Sequence, residues 1–145
     1  MRRMLIITTG LAICALSVSA GTETFRSIAG SAAKIEKDAL SISQGLRAKT
    51  RDLPKIQDDI RALGVDIASL RQEIDKVDTQ LAGLTDAQKK NWELIKLKAQ
   101  LLMIFHDNKA KLSGMDLDKN RTSVRHLSDG IAKRAKLLQL TAAKL

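Results

Sequence analysis

The sequence has very few aromatic residues, prolines and cysteines. Phe25, Trp92 and Phe105 are the only aromatic side chains among 145 residues. Pro54 is the only proline and Cys14 the only cysteine. β-Sandwiches and barrels are rich in aromatic strands and turns, and disordered tails are rich in proline. These absences therefore favour long helices.

The sequence also lacks the residue patterns that carry catalysis or hold cofactors. It contains no Ser-His-Asp arrangement and no glycine-rich phosphate loop. His106 and Asp107 are adjacent, so they do not share a helix face, and a zinc site needs three or four converging ligands. His126 and Asp129 are three residues apart but lack further ligands. We expect no enzyme activity, no metal site and no cofactor.

The first twenty residues have the order of parts of a secretory signal peptide. Arg2 and Arg3 precede a mostly apolar stretch over residues 4–18, and Val18-Ser19-Ala20 supplies small residues for cleavage. Cleavage after Ala20 would remove Cys14 and leave no thiol or disulfide chemistry. We expect a periplasmic or secreted protein.

Two alternatives remain for this segment. Residues 4–22 carry no charge and are nearly long enough to form an uncleaved membrane anchor. Leu11-Ala12-Ile13-Cys14 resembles a bacterial lipobox, although Ile13 stands where that motif has a small residue. Each of the three interpretations places the rest of the chain outside the cytoplasm.

The positive charge is confined to one half of the chain. The formal net charge is +9, and removing Arg2 and Arg3 leaves +7. Residues 21–84 hold ten basic and ten acidic groups, whereas residues 85–145 hold 13 basic and six acidic groups. A basic half suits an acidic protein client or an anionic membrane surface. Nucleic acid is not expected, because the protein is exported and lacks aromatics for base stacking.

One heptad register runs through about sixty residues. With position a at 25 and position d at 28, there are nine a and nine d positions up to residue 84, and only Lys49 is not apolar. The pattern predicts a coiled coil. Its best-filled core positions are Ile60, Leu63, Ile67, Leu70, Ile74, Val77, Leu81 and Leu84. Pro54 predicts a kink, and Asp52 or Leu53 is expected to open the helical segment that follows it.

A turn is predicted after this register. Gly83 can end a helix, and Thr85-Asp86-Ala87-Gln88 has the spacing of a capping box. The arms on either side, 25–84 and 86–145, have equal length, which predicts an antiparallel hairpin. An acidic stripe borders the seam of the first arm, and basic residues on the second arm are its expected partners. The stripe consists of Asp52, Asp59, Asp66 and Glu73, and the partners of Lys96, Lys98, Lys109 and Lys111.

One segment is too apolar for a two-helix hairpin. Ten of the fourteen residues from 92 to 105 are apolar, so the helix is apolar on several sides. Such a helix packs against a third helix or against another molecule. The residues predicted to mediate self-association or partner binding are Trp92, Leu94, Leu97, Leu101, Ile104 and Phe105.

The sequence as a whole predicts an all-α protein: a long antiparallel helical hairpin or coiled coil, or a kinked three-helix bundle. Residues 1–20 form the signal peptide and residues 21–145 form one elongated helical domain. Its predicted helices span about 25–84 with a kink near 54, 86–112 and 117–144. A basic surface is predicted on the second arm, formed by Lys109, Lys111, Arg121, Arg125, Lys133, Arg134 and Lys136.

These features predict an exported coiled-coil protein that binds or scaffolds other proteins of the bacterial envelope. Its partner is expected to be another protein or a second copy of the chain. The basic, exported helical arms also resemble Skp-type periplasmic holdase chaperones, which implies binding of unfolded proteins. Small exported helical chains are similar to minor pilus subunits of type IV secretion systems, and an uncleaved anchor before a long helix is similar to phage spanins.

Overall fold

The computed structural model describes the backbone of residues 11–107 and 116–144, with side chains from residue 21 onward. It contains four helices: α1 (Leu11–Arg47), α2 (Leu53–Thr79), α3 (Asp86–Asp107) and α4 (Leu117–Ala142). A short 3-10 helix, Leu81–Gly83, joins α2 to α3. Every regular element in this part of the chain is helical, which confirms the all-α class.

Ion pairs between helices show the direction in which each helix runs. Lys34 and Glu36 of α1 pair with Asp66 of α2 and Lys136 of α4, respectively, while Arg47, near the end of α1, pairs with Asp129, nearer the start of α4. Ser27 and Ser31, earlier in α1, donate hydrogen bonds to Glu73, later in α2. Residue numbers therefore rise along α1 as they fall along both neighbours, so each neighbour is antiparallel to it.

The remaining two neighbour pairs are also antiparallel. Asp78, near the end of α2, pairs with Lys96 in the first half of α3, and Arg71 pairs with Asp107 at the end of α3. Phe105, near the end of α3, lies against Gly130 in the middle of α4, whereas Lys98 and Leu101, earlier in α3, lie beside Leu137, later in α4. The four helices therefore form an up-down-up-down bundle.

The break between α1 and α2 is where the structure differs from the predicted sixty-residue arm. The heptad register continues across the break, but the helix stops at Arg47 and α2 turns back along α1. Lys49, the one non-apolar core position, lies in the connection, residues 48–52. Asp52 caps α2 by accepting a hydrogen bond from the Lys55 amide at 3.0 Å. Pro54 occupies the first turn, where its missing N–H loses no helix hydrogen bond.

The folded-back arrangement also changes the partners of the acidic stripe. Asp66 pairs with Lys34, and Glu73 accepts hydrogen bonds from Ser27 and Ser31, all on α1 rather than on α3. Lys96 pairs instead with Asp78, which lies outside the stripe. The expected pairing of this stripe with the second arm is therefore not observed, because α2 presents that side to α1.

The ends of the later helices are close to those predicted. The capping box at Thr85 is confirmed: the Thr85 amide donates to Gln88 Oε1 at 2.9 Å, and the Gln88 amide donates to Thr85 Oγ1 at 3.3 Å. Asp116 caps α4 by accepting from the Asp118 and Lys119 amides. The predicted end of the second helix at 112 and the Ser113-Gly114 stop lie outside the described residues.

Side-chain size sets how closely the helices approach. The buried positions of α1 include Ala32, Ala39 and Ser43, and those of α4 include Ala132 and Ala135. Small side chains let two helix axes come close, and α1 and α4 form the most extensive interface of the bundle. The α2–α3 interface is the smallest of the four, so α3 is covered mainly on the side of α4.

Candidate functional site

Helix α3 carries two apolar faces on opposite sides. One face is fully buried in the bundle and consists of Trp92, Ile95, Ala99 and Leu102. The other face, here called the apolar ridge, consists of Leu94, Leu97, Leu101 and Ile104. The ridge side chains are between 47% and 57% exposed. At 3.6 residues per turn the two sets lie almost opposite each other, so the ridge faces directly away from the core.

Trp92 holds the buried face of α3 in place. Its ring stacks on Phe25 of α1 with a centroid separation of 6.3 Å and an interplanar angle of 3°. The indole Nε1–H donates to Asp78 Oδ1 at 2.8 Å, and Lys96 pairs with the other oxygen of that carboxylate at 2.6 Å. Burial alone would raise the pKa of Asp78, but the hydrogen bonds from Lys96 and Trp92 outweigh it and lower that pKa.

The assignment of Trp92 to a partner-binding surface is therefore corrected. Its side chain is completely buried, its ring is stacked and its only polar group is satisfied within the bundle. A large ring with one polar edge fits such a site well. Helical spacing puts Trp92 and Leu94 on nearly opposite faces, but both faces are apolar, so the sequence did not show which of them is buried.

Phe105 occupies an intermediate position between the two faces. Its ring lies against the backbone of Gly130 in α4, and the Arg134 guanidinium carbon is 3.7 Å from the ring centroid. Arg134 also donates to the Gly130 carbonyl at 3.1 Å. This cation–π contact fixes α3 against α4 at the end of the ridge, so Phe105 belongs mainly to the fold.

One leucine of α4 extends the apolar surface beyond α3. Leu137 lies beside Leu101 and is 45% exposed, and Leu140 of the same helix is 47% exposed. Between the two helices lies an open groove, here called the α3–α4 groove. It is lined by Lys98, Leu101, Lys133, Arg134 and Leu137. The groove combines two apolar side chains with three basic ones, which is a surface suited to helix binding.

Sequence reasoning did not select Leu137, Leu140 or Lys98 as surface residues of this kind. Leu137 and Leu140 fall outside the periodic positions of α4 that include Leu138, and that surplus was a usable signal. Lys98 was expected to form an ion pair near Glu73. In the structure Lys98 has no ion pair with any described residue and lies at the groove instead.

The predicted coiled-coil core residues all lie at or beside the core of the bundle. Five are buried: Leu63, Ile67, Leu70, Ile74 and Val77. Three are half-buried and pack against the core: Ile60, Leu81 and Leu84. These side chains face α1 and the bundle interior, and they leave no apolar seam free on α2.

The predicted basic surface is divided in the structure. Arg121 and Lys133 are exposed, whereas Lys136 pairs with Glu36 at 3.4 Å and Arg134 covers Phe105. Arg125 is half-buried. Lys109 and Lys111 lie outside the described residues. Of this set, Lys133 lines the groove beside the exposed Leu137. Lys133 forms no ion pair with any described residue.

Two polar clusters lie between helices and hold them together. Asp129 of α4 accepts hydrogen bonds from the buried Ser43 hydroxyl at 2.6 Å and from Arg47 at 2.8 Å. The Ser43 hydrogen bond, followed by the charge of Arg47, lowers the pKa of Asp129 despite partial burial. Both partners are on α1, so this cluster ties α1 to α4 and leaves no group free for chemistry.

The second cluster lies between α1 and α2. Burial, and then the neighbouring carboxylate of Asp66, raises the pKa of Asp38. Lys34 pairs with Asp66 Oδ1 at 2.5 Å, and Asp66 Oδ2 is buried with no donor within hydrogen-bonding distance. A proton on Asp38 would supply such a donor. The cluster is internal to the fold.

Comparisons with known proteins provide no template for this surface. Within residues 21–107 and 116–144, no three histidine, cysteine or acidic side chains are grouped to hold a metal ion. Among the described helices, none combines the length and apolar character needed to cross a membrane. The chain matches no known family model, no curated protein and no solved structure.

Proposed function

We propose that this protein is an exported binding or scaffolding protein of the bacterial envelope that acts through protein–protein contacts. The observation that carries the proposal is the apolar ridge, four large side chains about half exposed on one face of α3. A contiguous exposed apolar surface of this kind is typical of interaction sites. The export part of the proposal rests on the signal-peptide pattern of residues 1–20.

The spacing of the ridge favours a helical partner. Leu94, Leu97, Leu101 and Ile104 follow each other at intervals of three, four and three, which are the a and d positions of a heptad. The buried face of the same helix already supplies its contacts with the bundle. The ridge is therefore available as a second seam, and the coiled-coil contact that we propose is intermolecular.

The best test is site-specific photocrosslinking in the native host. A photoreactive residue replaces Leu97 or Leu101 on the ridge, and Val65 serves as the matched control because it is a 68% exposed apolar residue on α2. We expect a discrete crosslinked product from both ridge positions and none from Val65. Equal products from all three positions, or no product from the ridge, would contradict the proposal.

A holdase chaperone is the second candidate, and the open, basic-rimmed groove favours it. A holdase would retain many unfolded clients, whereas a scaffold would retain one folded partner. Ridge crosslinks to a heterogeneous set of unfolded envelope proteins, together with salt-sensitive suppression of their aggregation, would support the holdase. A single product that forms only with a folded protein would exclude it.

Export is tested separately by the intact mass and N-terminus of the protein from its host. A periplasmic chain that starts at Gly21 is expected. A membrane-bound chain that retains Met1 would contradict cleavage and favour the anchored alternative, and a lipid on Cys14 would indicate a lipoprotein.

A further inference from the structure

The charges around the apolar ridge are predominantly positive. Lys98 and Lys133 border the ridge on the α4 side, and Lys90 lies on the line of the ridge one turn before Leu94. None of these three lysines forms an ion pair within the part of the chain that the structure describes. The acidic residue at this surface is Glu93, on the side toward α2.

Three other basic groups of α3 and α4 are engaged within the bundle. Lys96 pairs with Asp78, Lys136 pairs with Glu36 and Arg134 covers Phe105. The lysines around the ridge thus form a local positive rim that the fold itself leaves uncompensated. A partner that buries the ridge must also face this rim.

A second copy of the chain fits this rim poorly in either orientation. In an antiparallel pair of ridges, Leu97 of one copy faces Leu101 of the other, and Lys98 faces Lys98. In a parallel pair, Glu93 would attract Lys98, but Lys90 occupies a d position and would meet Lys90 of the other copy within the seam. Like charges brought together at a seam oppose association.

We propose that the ridge and the α3–α4 groove bind an acidic amphipathic helix of a partner protein. This inference rests on the proposed function and adds the chemistry of the partner. Apolar side chains of the partner helix lie on Leu94, Leu97, Leu101 and Ile104, and its flanking Asp and Glu side chains face Lys98 and Lys133. The ridge runs from Leu94 to Ile104, a length of about 15 Å, which matches roughly three turns of the partner.

The test uses two synthetic helical peptides of about three heptads with leucine at every a and d position. One peptide has glutamate at the flanking e and g positions, and the other has lysine there. Binding to the protein purified from its host is followed by fluorescence anisotropy at low ionic strength. We expect the acidic peptide to bind at least about tenfold more tightly, because a few exposed ion pairs together supply that factor. The preference should shrink in about 1 M salt.

Charge reversal at the rim provides the decisive variant. Lys98→Glu combined with Lys133→Glu should remove or invert the preference for the acidic peptide. The matched control is Lys37→Glu combined with Lys49→Glu, which changes the net charge equally at exposed positions away from the groove. The control should keep the preference within about twofold, since screened charges at a distance contribute little.

Three results of the binding experiments would overturn the inference. The first is equal affinity for the two peptides, and the second is an equal effect of both double variants. The third is binding of phosphatidylglycerol vesicles with no binding of either peptide, which would assign the surface to a membrane. Ridge photocrosslinks to a partner that lacks an acidic helix would overturn this inference and leave the proposed function standing, whereas absent ridge crosslinks would overturn the proposed function itself.

Discussion

Helices α1 and α3 differ in how much apolar surface each carries beyond what the bundle buries. Within residues 21–47, whose side chains the structure describes, the large apolar side chains of α1 are buried except for Leu40, which is 39% exposed. The other outward positions in this range are polar or small. Helix α3 buries one apolar face equally well and presents a second one, the apolar ridge, to solvent. The bundle therefore buries the apolar face of α1 but leaves one of the two apolar faces of α3 exposed.

The difference follows from the neighbours of the two helices. Helix α1 lies between α2 and α4 and has one continuous apolar stripe that both of them cover. Helix α3 meets α4 on one side and α2 only slightly on the other, so no described helix covers its ridge. This uncovered apolar face with regular heptad spacing is the basis of the contact with another molecule that we propose.

The largest expected effect comes from removing the buried face of α3. Trp92→Ala should lower the free energy of unfolding by about 3–5 kcal/mol, because it empties a fully buried site and ends the stack on Phe25. Urea denaturation followed by far-UV circular dichroism measures this loss without the tryptophan signal. Trp92→Phe keeps most of the ring and loses the hydrogen bond to Asp78, so its cost should be only about 1–2 kcal/mol. Equal costs for the two variants would show that packing does not dominate at this site.

The next largest effect is expected at the polar contact between α1 and α4. Asp129→Asn should cost about 1.5–3 kcal/mol at neutral pH, because it weakens charge-assisted hydrogen bonds from Ser43 and Arg47. The lowered pKa of Asp129 means that its contribution is fully present above the unfolded pKa of about 3.9. It disappears as the pH falls through the lower folded-state pKa. The gap between wild type and variant should therefore close in acid, and a gap independent of pH would contradict this account.

Asp38 serves as a control, because its effect on the free energy of unfolding should depend on pH in the opposite direction. Its raised pKa means that folding favours the protonated form, so the ionised group weakens the fold at neutral pH and acid relieves that cost. Asp38→Asn should therefore be neutral or stabilising at neutral pH, and any gain should vanish in acid. A large loss at neutral pH would show that the Asp38 charge is needed by the fold.

Substitution of two glycines tests how closely the helices are packed at each position. A methyl group at Gly30 of α1 would meet no atom within 4 Å, whereas one at Gly130 of α4 would come within 2.5 Å of the Phe105 ring. Gly30→Ala should stabilise by about 0.5–1 kcal/mol through helix propensity. Gly130→Ala should destabilise by about 1 kcal/mol because the ring must move. Thermal or urea unfolding of both variants checks the signs, and Phe105→Leu should relieve the second.

The smallest expected effect on stability is at the apolar ridge. Leu97→Gln combined with Leu101→Gln should change the free energy of unfolding by no more than about 0.5 kcal/mol, because both side chains already face solvent. Leu102→Ala on the buried face should cost about 2–5 kcal/mol by comparison. The same pair of substitutions should also abolish the crosslink formed by a photoreactive residue placed at Leu94 of the ridge. A loss of stability as large as that of Leu102→Ala would assign the ridge to the fold.

The sequence alone predicted much of the local structure. The capping box at Thr85 involves residues close in the chain, so its hydrogen bonds depend on local spacing. The core positions of α2, such as Ile67 and Leu70, follow a period that any buried helix must show. The presence of too many apolar residues between 92 and 105 was likewise visible, although the sequence did not show which of them face inward.

Other features depended on contacts between residues distant in the chain. A heptad register describes which side of a helix is apolar and remains unchanged when the helix is interrupted, so Lys49 and Pro54 could mark either a kink or a complete reversal. The structure has the reversal, which buries the stripe of α1 against two helices instead of one. Because of this reversal, Asp66 and Glu73 of the acidic stripe pair with residues of α1 rather than of α3.

Composition, heptad spacing and caps thus determined an all-α chain, most of its helix ends and its apolar surplus, because these depend on neighbours within a few residues. Tertiary structure decided that Trp92 is buried, that Leu97 and Leu101 are exposed and that Lys98 and Lys133 stand together at one groove. The physical reason is that burial is shared among all helices at once. Which apolar face remains uncovered is therefore known only when every helix has its neighbours.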